Sequence, residues 1–562
     1  MKRDLNKLSG TEYDVLIIGA GIYGVAAAWD AALRGLKVAL IDKNDFGSAT
    51  SSNSLKTIHG GLRYLQQLDL KRMRESIHER MVLMHIAPHL VYPLQVVMPT
   101  YSYKLKSRPA MMAALIANDV VGFDRNRLED PHKYMPHGFT VSKRKVQDYI
   151  PGYEKYNLNG GAVWYDCQCY NTERLLLSFL ISATSQGADV ANYVKASGFL
   201  MDGQRVTGIK ARDELSGQTF DIRAKMVVNN SGPWVDNILS SLNGKAPERK
   251  FNLSTAMNLV INRRLFDKNA AGLSGPWKYV REDGSVYEAY RILFFAPWRN
   301  YTIIGTNHLP YEGNEKNYQD KYKITEAEIQ SFLTDVNQAY PAADIKREEV
   351  TFFYGGFLPM ARKNPDTGEV MLEKHYKLYD HVRSDKIEGL ITVLGVKYTT
   401  ARDVARKTID MVFNKLDRNS PQCETEKTAL CGGNIEKFED FVNDAINTNP
   451  YGFNAKVMQH LCHNYGSDYE TILKYGAEDR ELIDLLPESE EVLKAEIIHG
   501  VREEMAQKLA DVILRRTDAG TGGNPGEACL KEAVKLMAKE LGWNKARMKQ
   551  EVEEVKNIYI PA

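Results

Sequence analysis

The chain has 562 residues, of which 73 are basic, 72 acidic and 43% hydrophobic, with six cysteines at positions 167, 169, 423, 431, 462 and 529. That length supports two or more domains with substantial cores, and the near-cancelling charge gives no electrostatic reason to expect nucleic acid. No apolar run reaches the roughly 18 residues of a spanning helix; the polar start and the scattered cysteines point to a reducing, cytoplasmic setting with no signal peptide and no metal site.

The first chemical signal lies in residues 14–42. An apolar strand (Val15, Leu16, Ile17, Ile18) runs into Gly19-Ala20-Gly21-Ile22-Tyr23-Gly24, an alanine-rich helix follows over 25–33, and a strand over 38–41 ends on Asp42 with Lys43 beside it. Gly19 permits the tight turn, Gly21 lets backbone approach a pyrophosphate, and Gly24 removes a side chain where helix meets sheet. The helix start aims unpaired N–H groups at phosphate. Asp42 follows the first glycine at roughly the 20-residue spacing of the carboxylate that accepts ribose hydroxyls. Strand, turn, helix, strand and acid in that order read as a dinucleotide site at the N-terminus, the common place in enzymes that hold FAD.

Residues 47–54 are small and polar, and Thr50, Ser51 and Ser52 are candidates to wrap the diphosphate. Residues 56–65 then open an amphipathic helix expected to run towards His85. Gly60 and Gly61 give a flat ring access to backbone, with Leu62, Arg63 and Tyr64 next to it. Thr50-Ser51-Ser52 followed by His59-Gly60-Gly61-Leu62-Arg63-Tyr64-Leu65 resembles the FAD-dependent glycerol-3-phosphate dehydrogenases, the enzymes that pass electrons to quinone.

Residues 95–150 look irregular. Lys104, Lys106 and Arg108 precede an apolar run over 111–117, and Arg125 and Arg127 follow it. Core packing under a solvated basic rim is the default reading; a helix lying in a bilayer interface is the alternative. Strand, helix and strand follow over 162–193, with Gly187 ending the helix, and the resemblance puts Val194 where backbone meets adenine. A short hairpin over 198–220 leads to a strand over 226–230. The turn Ser231-Gly232-Pro233-Trp234 after it resembles the family's second FAD motif. Residues 245–380 alternate apolar and polar positions and suit an antiparallel sheet with one covered face. Gly395-Val396-Lys397-Tyr398-Thr399 looks like the third FAD motif, with Val396 in place of a glycine; its helix start is expected to face the flavin C2 carbonyl. Past a linker over 419–434 the chain is helical, and Ile497, Val501, Met505 and Leu509 form one apolar stripe on one helix.

The expected fold is α/β (α+β overall): a Rossmann-like FAD-binding domain from residues 11–95, 151–245 and 386–418, an antiparallel-sheet substrate domain from 96–150 and 246–385, and a C-terminal helical domain over 435–562. The resemblance implies oxidation of glycerol 3-phosphate, a small-molecule substrate, with quinone or another electron acceptor. It also implies a peripheral position on the inner face of a membrane and allows a homodimer.

Oxidising an alcohol through a flavin requires a hydride path, a base for the hydroxyl proton and cations for the substrate's charge. Arg63 and Lys397 fit the cationic role, and Tyr64 either packs or hydrogen-bonds. The substrate region departs from the family. Thr255-Ala256-Met257-Asn258 stands for the usual Lys-Gly-x-His, Gly356-Phe357-Leu358-Pro359 for Gly-x-Arg-Pro, and Gly305-Thr306-Asn307-His308 for Gly-Thr-Thr-Asp. A guanidinium gripping phosphate bidentately has no substitute in leucine. Arg291, Arg299 and Lys278 are candidates to supply charge, His308 is the candidate base, and Asn258 is a further candidate catalytic residue. Three readings stay open: a glycerol-3-phosphate dehydrogenase, a flavin oxidoreductase of another small alcohol, acid or amine, and a flavin-binding protein without turnover.

Overall fold

Two sheets and a helical lobe carry the chain in a computed structural model that describes residues 1–102, 107–155, 157–242, 252–311 and 322–562. The first sheet runs in the order 377–380, 390–394, 219–229, 12–18, 38–41 and 189–191. Its strands from 390–394 to 189–191 are parallel, and all seven residues of Glu12–Ile18 except Glu12 and Asp14 are buried. Burial on both faces is why these strands read as continuous apolar runs. The helix Ile22–Leu33 crosses over the sheet and packs between the helices Thr172–Ser185 and Ala401–Lys415, with Trp29 edge-on to Phe179 at 5.4 Å.

The second sheet is mixed and mostly antiparallel. Strand Asn252–Ile261 sits between Tyr301–Tyr311 and Val350–Lys363, pairing Ala256 with both His308 and Gly356, and Ser254 with Leu358. Side chains alternate faces along a strand, so this register gathers the three departures from the family on one face. Val91–Tyr101 spans the expected boundary at 95/96, and Leu158–Cys169, from the expected cofactor segment 151–245, pairs with it in this second sheet.

Several local expectations are corrected. Residues 95–150 are regular, with a strand to Tyr101, a helix Arg108–Val121, a strand Phe139–Ser142 and a helix Lys143–Tyr149; Lys104 and Lys106 lie outside the described residues. The motif at 56–65 does not start the long helix. It forms strand Thr57–Ile58 and a 3-10 turn Leu62–Gln67, and the helix begins at Leu70 behind an Asp69 cap. The hairpin near 198–220 is long, with strands Val194–Asp202, Arg205–Asp213 and Thr219–Asn229. The stripe at 497–509 is broken: its helix ends at Arg502, and Met505 takes a left-handed φ of 58°.

Buried charges join the C-terminal lobe to the cofactor half. Asp45, fully buried, accepts hydrogen bonds from Arg515 Nε (2.5 Å), Arg516 Nη1 (2.7 Å) and Nη2 (2.8 Å), and Asn192 Nδ2 (3.0 Å). Burial opposes its charge, but Arg516 and Arg515 hold its carboxyl well below the usual range. Arg174 grips Glu504 with Nη1 at 2.6 and 2.7 Å. Arg516→Ala leaves the buried Asp45 carboxylate with only one of its two arginines and is expected to cost on the order of 3 kcal/mol, read as a lower denaturant midpoint. His460, despite burial, is raised to about 10 by Glu496 and Asp518. Its contribution to stability is therefore whole below the unfolded value of about 6.5 and is lost as pH rises through about 10. Wild type is expected to lose its advantage over His460→Gln across that window in pH-dependent unfolding.

Candidate functional site

One cavity of about 1950 Å³ is lined by both sheets and by the loops between them. At one part of it stand Asp42, Lys43, Val194 and Trp234, with the Lys43 ammonium 4.1 Å above the indole. Gly19, Gly21, Thr50, Ser51, Ser231 and Gly232 line the next part. Gly61, Leu62, Arg63, Tyr64, Asn258, His308, Leu358, Gly395, Lys397 and Thr399 line the rest. The strand ends and the register described above bring these scattered positions to one place.

The phosphate part is built by backbone. Gly19 takes φ 102°, and a Cβ there would run into the Asn230 carbonyl of the neighbouring strand end. Gly21 caps the helix Ile22–Leu33 with no side chain, leaving the positive end of the dipole open to an anion. Ser51 Oγ accepts from the Ile22 amide at 3.0 Å, and Thr50 ties the loop to the Phe357 carbonyl at 3.0 Å. Asp42 spends its oxygens on the Ala20 and Asn44 amides (2.8 and 2.9 Å), and burial raises its carboxyl to about 6.

Gly24 sits under the Gly19 carbonyl and beside Ile17, where a Cβ would overlap, which is the close helix–sheet packing expected of it. Two expected contacts turn away from the cavity. Ser52 Oγ donates to Gly47 O at 2.6 Å. Gly60 is closed in by Arg80 and gives its amide to Asp166 at 2.7 Å. Burial raises the Asp166 carboxyl, but the hydrogen bond and charge of His59, with Arg80, hold it down at about 2.

The substrate part carries cations. Lys397 Nζ lies 4.1 Å, and the Arg63 guanidinium 5.4 Å, from the Tyr64 ring centroid. Asn258 Oδ1 accepts from Thr306 Oγ1 at 2.8 Å, in space that Gly305 leaves free. His308 is lowered to about 4 by burial, Arg63 and Arg291, so it stands neutral at pH 7 and binds a proton poorly. Of the three spare cations, Arg291 lies nearest, donating to Asn307 (2.7 Å) and Asp335 (2.7 Å). Arg299 is instead committed to Thr521 and Asp518, and Lys278 is exposed against Glu288; none of the three lines the cavity, and Arg291 acts on it only through the charge it presents to His308. The sequence reading missed Tyr23, whose hydroxyl accepts from the Val396 and Lys397 amides (3.1 and 3.0 Å) and donates to Lys397 O (2.5 Å). It also missed buried Lys56, bound to Ser52 O, Thr172 and Glu173. Their only sequence signal was membership of the motifs.

An FAD-dependent oxidoreductase is what this fold and cavity define, and residues 14–398 match the FAD dependent oxidoreductase family. Residues 423–548 match the C-terminal domain of alpha-glycerophosphate oxidase. The glycerol-3-phosphate dehydrogenase of Synechocystis sp. is 32% identical over 98% of this chain and 97% of its own length. The mitochondrial glycerol-3-phosphate dehydrogenase of Mesocricetus auratus is 31% identical over 97% of this chain and 72% of its own. The X-ray structure of the Bacillus halodurans glycerol-3-phosphate dehydrogenase complexed with FAD superposes with a TM-score of 0.75 at 26% identity, covering 99% of this chain and 96% of that one. The chain belongs to the glycerol-3-phosphate dehydrogenase family, and FAD is its cofactor.

The residues fit that cofactor: an uncapped helix start for the pyrophosphate and a cleft between Lys43 and Val194 for the nucleotide end. A Cβ at Gly21 meets only Ser51 Oγ, at 3.2 Å, and otherwise points into open cavity. Gly21→Val is therefore expected to fold and to purify colourless, its branched side chain occupying the pyrophosphate space. Circular dichroism and flavin absorbance check this; retained flavin contradicts it.

Proposed function

We propose that this protein oxidises glycerol 3-phosphate to dihydroxyacetone phosphate and passes the electrons to a quinone at a membrane surface. The carrying observation is that Arg63, Lys397 and His308 line one part of the cavity where all three FAD motifs meet. FAD, when bound, supplies the two-electron acceptor; the chain's residues bind and orient the substrate and keep the site dry. Arg63 and Lys397 suit the substrate phosphate, since charge-assisted contacts gain strength where water is scarce. Neutral His308 suits a hydrogen bond to the glyceryl hydroxyls. Asn258, fixed by Thr306, offers a further polar group.

A second reading, an uncharged alcohol, gains support from Leu358, which puts an apolar side chain on the wall where the family carries arginine. Anaerobic reduction separates the two. Glycerol 3-phosphate is expected to bleach the flavin band while glycerol does not. Leu358→Arg is expected to tighten half-saturation if the phosphate rests against that wall. Bleaching by glycerol alone supports the second reading.

Helix Arg108–Val121 favours the membrane surface. Among its residues only Leu115 is buried, and Val120, Phe123 and Leu68 are 67%, 71% and 84% exposed on adjoining turns. The cavity reaches that helix through Ala110, Met111 and Ala114, which suits a lipid-soluble acceptor. No helix among the described residues is long and apolar enough to cross a membrane. An apolar face held at the interface predicts that Val120→Asp with Phe123→Asp lowers binding to anionic vesicles and quinone reduction, while flavin reduction by substrate is unchanged. Unaltered vesicle binding in that double variant removes this surface from the proposal.

A further inference from the structure

Tyr64 is the most crowded titratable group in the cavity, and nothing so far uses it. Gly61, with φ 87°, presses on its ring: a Cβ there would overlap the ring carbons. The Tyr64 amide bonds the Gly61 carbonyl at 2.9 Å and its own carbonyl takes the Asp69 amide at 3.1 Å. The ring is thus fixed, and it still lines the cavity.

Three elements bring charge to it. Arg63 comes from its own turn. The helix Leu70–Ile86 brings Arg72, whose guanidinium lies 4.0 Å from the ring centroid, with Asp69 at the helix cap. The loop after strand Leu390–Leu394 brings Lys397, whose Nζ lies 4.1 Å from the centroid. Tyr23, on the helix Ile22–Leu33, holds the Lys397 backbone and is itself neutral, its phenol raised by burial. Three cations therefore face one carboxylate, and that carboxylate is 3.6 Å from Arg72 and also 3.6 Å from His375. Arg72 is nearly buried, yet its Nε and Nη1 make no hydrogen bond among the described residues. An arginine left so is costly unless its charge is used locally.

We infer that Tyr64 and Lys397 form the proton-accepting dyad of this site, with Arg72 as its positioning cation, and that the ionised Tyr64 oxygen takes the substrate's hydroxyl proton. The inference rests on the alcohol-oxidising reading above and assigns its base. Burial pushes the phenol up, but Arg63, Lys397 and Arg72 together bring it below its ordinary value. His308 goes the other way, towards a weak base, and Asn258 cannot titrate. In the step, the hydroxyl proton moves to the Tyr64 oxygen. Bound FAD would supply the two-electron acceptor for the carbon-bound hydrogen and its electron pair as the C–O single bond becomes a carbonyl. The proton then leaves the phenol for solvent along the cavity. The surplus positive charge left by Arg63 and Arg72 suits an anionic substrate beside an anionic phenolate, which explains why cations outnumber carboxylates here.

Two measurements on the FAD-loaded protein test this. Ultraviolet difference titration of wild type against Tyr64→Phe isolates the Tyr64 phenolate band without any turnover. Anaerobic flavin reduction by glycerol 3-phosphate is followed over pH in the same proteins. The phenolate is expected below the ordinary tyrosine range, with the acid limb of the rate following it. Tyr64→Phe is expected to slow reduction about 10²–10⁴-fold, the usual share of a general base, with FAD content unchanged. Arg72→Leu is expected to move both the band and the acid limb about 1–3 pH units higher, the usual effect of one opposite charge, and Arg72→Lys to restore them. A Tyr64→Phe protein with wild-type rate and pH profile, or a phenolate that forms only in the range of free tyrosine, overturns the dyad. If glycerol 3-phosphate reduces none of the proteins at any pH, the substrate reading fails instead, and the difference titration alone decides the dyad.

Discussion

The segment from Asp42 to Lys56 is pinned at both ends by buried charge, and the cofactor cavity depends on that. Asp45 is held by Arg515 and Arg516 from the far end of the chain. Lys56, fully buried with φ 58°, is held by Glu173 and Thr172 at the start of a helix in the cofactor half. Between these two points run the small residues that face the cavity, including Thr50 and Ser51. This serine-rich loop is fixed by buried Phe46, by hydrogen bonds of Thr50, Ser52 and Asn53, and by the ion pairs at its ends. Those pairs cannot be broken cheaply, because losing one partner leaves an uncompensated buried charge.

This arrangement explains why the C-terminal lobe, which contributes no residue to the cavity wall, is packed so tightly against the cofactor half. Arg516 reaches Asp45 and the Glu504 carbonyl, and Glu504 in turn binds Arg174. Tyr193, one residue before Val194, donates to Asp511 at 2.7 Å. The nucleotide end of the cavity therefore rests on the lobe through hydrogen bonds on both sides. By linkage, anything that orders the loop, the cofactor included, also favours docking of the lobe.

Much of this was legible in the sequence where local rules suffice. The order of strand, glycine turn, helix and acid at 14–42 dictates the parallel core, because only a crossover of that hand and length packs back on the sheet. The three FAD motifs were legible for the same reason: each is a strand end whose backbone geometry is written in glycines. What was not legible is what depends on contacts between distant segments. The irregular appearance of residues 95–150 hid two strands and two helices; Val91–Tyr101, for one, is defined by pairing with Leu158–Cys169 and not by alternation of its own. The stripe at 497–509 matched helical spacing but spans a helix end at Arg502 and a left-handed Met505. Arg72 carried no signal of its own in the sequence. Only the fold, which starts that helix at Leu70, turns it inwards onto Tyr64.

The substrate region shows how a family scaffold can keep its charge while changing the residues that carry it. At position 358 a leucine faces the cavity, and among the described residues the strand register sets Ser254, not a basic residue, opposite it. On the opposite side the cations are dense: Arg63, Arg72 and Lys397 all lie within 5.4 Å of one ring. Such a cluster repels itself, since like charges at these separations in a water-poor site cost several kcal/mol. Lys397 registers this directly, lowered by burial and by Arg72 and Arg63 even though Tyr64 raises it. The cluster is stable only if something anionic sits at its centre, and among the described residues its one carboxylate, Asp69, faces Arg72 and His375 from the helix cap. The Tyr64 ring is what these cations surround, and the inferred phenolate supplies the missing anion. On that reading the loss of positive charge at 358 is intelligible: the substrate anion is held from the Tyr64 side, where the same cations also set the base.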